Sequence, residues 1–318
     1  QQYPISLGLL YSAVTQRIGL KPNEDEYITM GMAAYGKPRY TTFIKENWLK
    51  RNNHKGVPNN DLTWATDYDL AASVQKVYED ELSKIVKKHC KKINLVISGG
   101  CALNCVANSN LKRNIWIMPN PGDSGSALGC IPAITKQKLK WKGPFLGQDI
   151  PGEYPVDSII KELKANKMVG VANGRAEFGP RALGNRSLLA DPRGPEVKDM
   201  VNAIKKRQKF RPFAPAILLE DVHEYFDMPQ ETSPYMQFVG TCKYPKEFPA
   251  IIHADGTSRV QTVTKEDNEG FYNLLKEWKK QTGCPILLNT SLNIKGKPMV
   301  NDKRDGQDFE RKYNVKVV

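Results

Sequence analysis

Apolar residues recur along the chain at two spacings, one helical and one strand-like, and their alternation predicts a mixed α/β protein. Residues 5–18 carry apolar side chains at helical intervals, and residues 69–91 set Leu70, Val74, Val77, Leu82, Ile85 and Val86 on one face of an amphipathic helix. A short apolar run at 94–97, predicted as a buried strand, ends in Ser98-Gly99-Gly100. Residues 101–111 are helical in composition, and a second strand is predicted at 115–118, ahead of Pro119-Asn120-Pro121-Gly122. The stretch 141–154 is rich in Gly and Pro and has little periodicity. It places a domain boundary near 143–154 and divides the chain into units of 1–146 and 147–318.

The second unit continues the pattern. A helix is predicted at 156–166 and a strand at 168–172, followed by a Gly/Arg-rich loop over 174–186 and an apolar stretch at 187–190. Further strands are expected at 214–219, 236–239 and 285–288, with helices at 195–206 and 270–281. No repeat of fixed period and no low-complexity tract is present.

Composition narrows the class. The 318 residues are 40% hydrophobic and 25% charged, enough to bury at least one substantial core. No apolar run approaches the roughly 18 residues of a membrane span, and Gln1-Gln2-Tyr3-Pro4 has neither the basic nor the apolar segment of an export signal. The chain has no initiator Met and reads as a fragment already inside a fold. Cys90, Cys101, Cys105, Cys130, Cys242 and Cys284 contain no CxxC pair, which suits structural thiols in a reducing cytoplasm. The spacing of Cys101 and Cys105 would put two thiolates on one helix face, but no second pair completes a zinc set. A formal charge of +13 favours anionic partners: phosphate-bearing small molecules, nucleic acid or an acidic polypeptide.

Several segments carry chemistry. Ser98-Gly99-Gly100, at a strand end, lets main-chain N–H groups approach phosphate, although a tight turn needs the same residues. Asp123, in Pro121-Gly122-Asp123-Ser124-Gly125, is placed either to ligate a metal or to cap the next helix. Arg175, Arg181 and Arg186 share one glycine-bearing loop that suits phosphate or carboxylate oxygens. Lys205, Lys206, Arg207, Lys209 and Arg211 add a basic strip, which lacks the interleaved aromatics of a nucleic-acid surface. His253 to Arg259 and Asn289 to Asn293 are polar clusters beside apolar runs, able to offer donors into a pocket.

Taken in order, Ser6-Leu7-Gly8-Leu9-Leu10-Tyr11, Met30 to Pro38, Gly99 to Asn104, the Asp123 loop, the arginine loop, Arg211-Pro212-Phe213-Ala214-Pro215, residues 253–262 and residues 288–296 resemble the O-carbamoyltransferase family of nodulation-factor and antibiotic carbamoyltransferases. The resemblance implies the C-terminal portion of an actin-like (ASKHA, Kae-like) ATPase domain, followed by a YrdC-like α/β domain with a mixed twisted sheet. It implies that carbamoyl phosphate and ATP give carbamoyladenylate, from which the carbamoyl group passes to an acceptor hydroxyl. On that pattern Arg181, Lys205, Arg211, Arg259 and Ser291 form the catalytic set. Gly99, Gly100 and Asn104 hold nucleotide in the transfer domain, and Arg175, Arg186, His253 and Asn289 add nucleotide contacts. Asp123 ligates an iron-like metal, and Mg accompanies ATP. His54 and His89 do not form a His-x-x-x-His pair, so the family's other metal ligands are expected in an N-terminal portion or a separate chain. Neither a membrane nor nucleic acid is expected as a partner. The competing expectations are an RNA- or nucleotide-binding module related to tRNA threonylcarbamoylation, and a non-catalytic subunit of a split carbamoyltransferase.

Overall fold

The computed structural model describes residues 5–51, 53–211 and 213–318, so Gln1 to Pro4 and the Pro212 of the Arg211-Pro212-Phe213 motif lie outside the described residues. The chain folds into two compact units, Gln1–Trp116 with His253–Asp255, and Ile117–Ile252 with Gly256–Val318.

The first unit is built on the helix Asp67–His89. Thr66 caps its start by accepting from the Asp69 amide at 3.1 Å. Asp67 and Asp69 sit in the first turn and Lys87, Lys88 and His89 in the last, each sign opposing the helix dipole. Leu70, Val74, Val77 and Tyr78 form its buried face. The helix Leu7–Arg17 is joined to it through the Tyr11 hydroxyl, which donates to Gln75 Oε1 at 2.8 Å, and an edge-on contact of Tyr11 and Tyr78. Strands β1 (Asn94–Ile97) and β2 (Asn114–Ile117) form a two-stranded sheet. The strand predicted at 94–97 is present but not buried: Val96 is 68% exposed and Trp116 is 52% exposed. An apolar tetrapeptide specifies extended backbone here without specifying what covers it. The helix predicted over 101–111 is broken into a 3-10 turn, Gly100–Leu103, and the helix Cys105–Ser109. Cys101 is therefore exposed and Cys105 buried, and they do not share a face; none of the six cysteines is in a disulfide among the described residues.

The second unit holds β3 (Phe145–Ile150), β4 (Met168–Ala172), β5 (Gly174–Glu177), β6 (Arg186–Ala190), β7 (Ala214–Leu218), β8 (Phe226–Asp227), β9 (Phe238–Cys242), β10 (Thr257–Val263) and β11 (Ile286–Ser291). Seven of these make one sheet in the order β4-β6-β11-β7-β10-β9-β8. Only the β7–β10 pair is parallel. Every residue of β4, β6 and β7 is buried, which is why β4 and β7 read as continuous apolar runs, while β6 opens on the buried polar pair Arg186 and Ser187. On one face Leu188, Ala190, Ile217, Ile286 and Leu288 pack with Val197, Val201 and Ile204 of the helix Glu196–Lys205 and Phe309 of the helix Lys303–Tyr313. On the other, Val169, Val171, Leu189, Ala216 and Leu287 pack with Ile159 and Leu163 of the helix Val156–Asn166 and with Phe271, Leu274 and Trp278 of the helix Glu269–Thr282. The unit is thus a three-layer α/β/α sandwich.

Two stretches expected to be irregular are strands. β3 lies in the Gly/Pro-rich stretch and β5 opens the arginine loop, and the two pair antiparallel. Residues 316–318 run alongside β4, where the Gly170 amide donates to Lys316 O at 2.8 Å and the Val318 amide to Gly170 O at 2.9 Å. Among the described residues no helix is long and apolar enough to cross a membrane.

Candidate functional site

Strand register brings the basic segments of the second unit to one end of its sheet. Ser291, the last residue of β11, pairs with Ser187 near the start of β6, and Asn289 pairs with Ala214 at the start of β7. β10 runs parallel to β7 with Gln261 opposite Ala216, so Arg259 lies level with Ala214. The end of β11 therefore adjoins the entries to β6, β7 and β10. Arg181 precedes the first of these strands, Arg211 precedes the second and Arg259 lies near the start of the third.

Lys205 reaches the same place from the end of its helix. Its Nζ donates to Ser291 O at 2.7 Å, Ser291 Oγ at 3.2 Å and Asn293 O at 3.5 Å, and also to Asn293 Oδ1. The Ser291 hydroxyl in turn donates to Asn293 Oδ1 at 2.7 Å. All of these acceptors are uncharged. Burial, with Arg207 and Arg211 nearby, lowers the Lys205 pKa to about 7. Arg207 is fixed over the Phe213 ring, 3.7 Å from its centroid, and its Nε donates to Asn202 Oδ1 at 3.1 Å. A buried ammonium among neutral oxygens, with guanidinium groups beside it, is an environment that an anion would stabilise.

The arginine loop differs from the sequence expectation in a specific way. Glycines were expected to let its backbone close on an external anion. The anion that its amides hold is instead the chain's own Glu177, whose Oε1 accepts from Leu183 N at 2.8 Å, Asn185 N at 2.9 Å and Arg186 N at 3.2 Å. The loop carbonyls are bound as well. Asn289 Nδ2 donates to Ala182 O at 3.1 Å, Gln261 Nε2 to Leu183 O at 3.2 Å and the Tyr154 hydroxyl to Gly184 O at 2.8 Å. Gly184 is required here: its φ is +125°, and a Cβ would lie 2.7 Å from the Phe271 ring. Gly184→Ala is expected to destabilise the chain by about 2–4 kcal/mol, read as a lower urea midpoint with an unchanged m value.

Two residues expected to contact nucleotide are corrected by their surroundings. Arg186 is completely buried, and its Nη1 and Nη2 donate to the carbonyls of Asn173, Gly174, Asn185, Gln148 and Asn301 at 2.8–3.2 Å. It binds the protein's own backbone. Asn289 is 1% exposed and bonds Ala182 O and Gln261 Oε1 from inside the sandwich. Arg175 is exposed on β5, opposite Asp149, with Nη2 donating to Leu146 O at 3.3 Å. Glu177 leaves no pattern in the sequence because the partners of its Oε1 are main-chain amides, and Gln261 because it bonds one loop carbonyl and one side chain far from it in sequence, Asn289. The one available signal for Glu177 was an acid standing between Arg175 and Arg181.

In the first unit Gly99 has φ +92°, a backbone that favours glycine, and Gly100 opens the following 3-10 turn. Asn104 caps the next helix by accepting from Ala107 N at 3.0 Å and exchanges two hydrogen bonds with Gln75. His253 meets the Tyr35 ring edge-on at 5.5 Å, with Nδ1 3.5 Å from Asp255 Oδ1. Asp123, in the second unit, is exposed in a 3-10 turn. Among the described residues no group of three or more His, Cys, Asp or Glu could hold a metal ion. One exposed carboxylate does not make a metal centre, and no metal-dependent step follows from these residues.

The family model of the carbamoyltransferase N-terminus matches residues 1–67 and 49–131, and that of the carbamoyltransferase C-terminus matches residues 160–318. The chain belongs to the carbamoyltransferase family. Its relatives include nodulation protein NolO of Bradyrhizobium diazoefficiens, 34% identical over 94% of this chain and 65% of NolO. Nodulation protein NolNO of Sinorhizobium fredii is 33% identical over 94% of this chain and 52% of that protein. An uncharacterised Synechocystis protein is 34% identical, covering 95% of this chain and 64% of its own length. The chain thus spans between half and two thirds of these curated relatives. Full-length HypF, solved in a phosphate- and nucleotide-bound form, aligns with 53% of this chain at TM-score 0.37 and 18% identity, too distant a likeness to carry an argument. Arg181, Lys205, Arg211, Arg259 and Ser291 of this chain all fall inside the C-terminal match.

Proposed function

We propose that this carbamoyltransferase chain activates carbamoyl phosphate with ATP and serves carbamoyl transfer to a hydroxyl acceptor. Water hydrolyses carbamoyl phosphate to carbamate and inorganic phosphate, and a carbamate oxygen then attacks the α-phosphorus of ATP, releasing pyrophosphate and giving carbamoyladenylate. The acceptor hydroxyl then attacks the carbamoyl carbon and AMP departs. The observation that carries the proposal is Lys205, a largely buried ammonium held only by uncharged oxygens at the sheet end shared with Arg181, Arg211 and Arg259. Fixed cations of this kind stabilise charge on phosphate oxygens as it develops, and carbamoyl phosphate and ATP both bring such charge.

In this reading the second unit is the YrdC-like activating domain and the first is the C-terminal part of an actin-like, Kae-like transfer domain. The reading assigns nucleotide contact to Gly99, Gly100, Asn104 and His253 in the first unit and to Arg175 in the second. Mg travels with ATP. Asp123 stands alone, so the reading assigns a second metal no step on this chain. Both substrates are cytoplasmic metabolites, and a cytoplasmic enzyme fits them.

The test is carbamoyl phosphate-dependent ATP–pyrophosphate exchange by the purified chain, beside Arg181→Ala and Arg259→Ala. Each variant is expected to lose about a hundredfold in exchange at unchanged melting temperature. No exchange by a well-folded native chain overturns the proposal.

A further inference from the structure

Glu177 is buried and carries a carboxylate whose Oε1 accepts three loop amides, those of Leu183, Asn185 and Arg186, while Oε2 is buried without a hydrogen-bond partner among the described residues. Leaving a carboxylate oxygen unsatisfied in an apolar interior costs free energy, so a carboxylate at this position needs a reason beyond packing. A neutral acceptor would avoid much of that cost. A carboxylate does what a neutral group does poorly: it draws several N–H donors to one point and fixes the backbone that carries them. The amides it gathers belong to Leu183, Asn185 and Arg186, and Arg181 stands two residues before the first of them in the same loop, which leads into β6 at the sheet end. Tyr154 grips the same stretch from the carbonyl side through Gly184 O, and Asn268 Nδ2 donates to Asn185 Oδ1 at 2.9 Å.

We propose that Glu177 is a positioning residue for anion binding, an internal anion that sets the backbone of residues 182–186 so that Arg181 is held ready for the phosphate group of carbamoyl phosphate. The inference rests on the proposed carbamoyl phosphate site. It predicts a selective effect, because the group it positions faces one substrate and not the adenine nucleotide as a whole.

In Glu177→Gln the side chain keeps its size and loses its charge. The KM for carbamoyl phosphate in the exchange assay is expected to rise about tenfold or more, with the KM for ATP within about twofold of native. Hydrogen exchange is expected to show faster exchange at the Leu183, Asn185 and Arg186 amides and unchanged protection in β4 and β11. Tyr154→Phe removes one bond to the same loop and should raise the same KM about threefold, which keeps the test open if Glu177→Gln does not fold. An unchanged KM for carbamoyl phosphate in folded Glu177→Gln, or in Tyr154→Phe if that is the variant available, overturns the inference. Parallel increases in both KM values also overturn it, since they mark a general structural role. Exchange absent from the native chain would defeat the substrate assignment instead. Calorimetry with inorganic phosphate then decides on Glu177: tenfold weaker binding in the variant supports it, and equal binding by native and variant chains overturns it.

Discussion

Lys205→Met is expected to lower carbamoyl phosphate-dependent exchange about a hundredfold while leaving the urea midpoint close to native. The two effects separate because the lysine occupies a costly position. Its ammonium is withdrawn from water beside Arg207 and Arg211, and burial first, then those two cations, brings its pKa down to about 7. Methionine fills a similar volume without the buried charge, which offsets the lost bonds to Ser291 O and Asn293 O. Loss of one preorganised cation facing a phosphate is worth about 2.7 kcal/mol, the hundredfold expected. The sign of the pH dependence follows. The folded-state value lies below the free lysine value of about 10.4, so between about 7 and 10.4 the unfolded chain binds more protons and native stability rises with pH. Denaturation of the native chain at pH 7 and pH 10, measured against Lys205→Met, should show that rise in the native protein alone. Activity runs the other way. The ammonium is the form that holds phosphate, so kcat/KM for carbamoyl phosphate should fall as pH climbs through about 7. The fall in kcat should come later, because a bound anion favours the charged lysine. A flat kcat/KM profile, with full activity in Lys205→Met, would remove Lys205 from the site.

The sequence reveals those parts of this architecture whose side chains have a buried side and an exposed side. The helix Val156–Asn166 and the strand Met168–Ala172 have the bounds predicted for them, because Ile159, Ile160 and Leu163 keep helical spacing and β4 is apolar throughout. The helix Lys303–Tyr313 escaped notice because only Gly306 and Phe309 are buried, too few to leave a period. β3 and β5 escaped for another reason. Gly147 sits where a Cβ would come within 2.9 Å of Ala176 Cβ, so a glycine that looks like a loop marker is a close strand contact. The site divides along the same line. Cationic residues that converge on one sheet end are recognisable as types, and their positions in the loops before β6 and β7 follow from chain order. Which of three arginines in one loop turns inward is a property of tertiary packing, so Arg181 and Arg186 look alike in sequence and differ in surroundings. Glu177 acts through main-chain amides, and main-chain partners leave no residue pattern to read.

Arg186→Met is the substitution expected to cost the most stability, roughly 3–5 kcal/mol by urea denaturation. The guanidinium makes hydrogen bonds to the carbonyls of Asn173, Gly174, Asn185, Gln148 and Asn301, which come from β3, from both ends of the arginine-loop segment and from the residues before the helix Lys303–Tyr313. Removing it leaves one buried and four part-buried acceptors without their donor, at about 1–3 kcal/mol for each that stays dry, before relaxation or water entry reduces the total. Arg186→Lys should recover only part of the loss: an ammonium has three donors on one atom and cannot span carbonyls that the planar fork reaches from two nitrogens. Arg175→Ala provides the contrast within the same loop. Its side chain is exposed and has one bond, to Leu146 O, so its effect should stay within about 0.5 kcal/mol. Comparable losses in the two variants would show that the carbonyls around Arg186 find other partners. A large loss confined to Arg186, with exchange activity retained by whatever fraction stays folded, would establish that this arginine of the loop serves the fold and not the substrate.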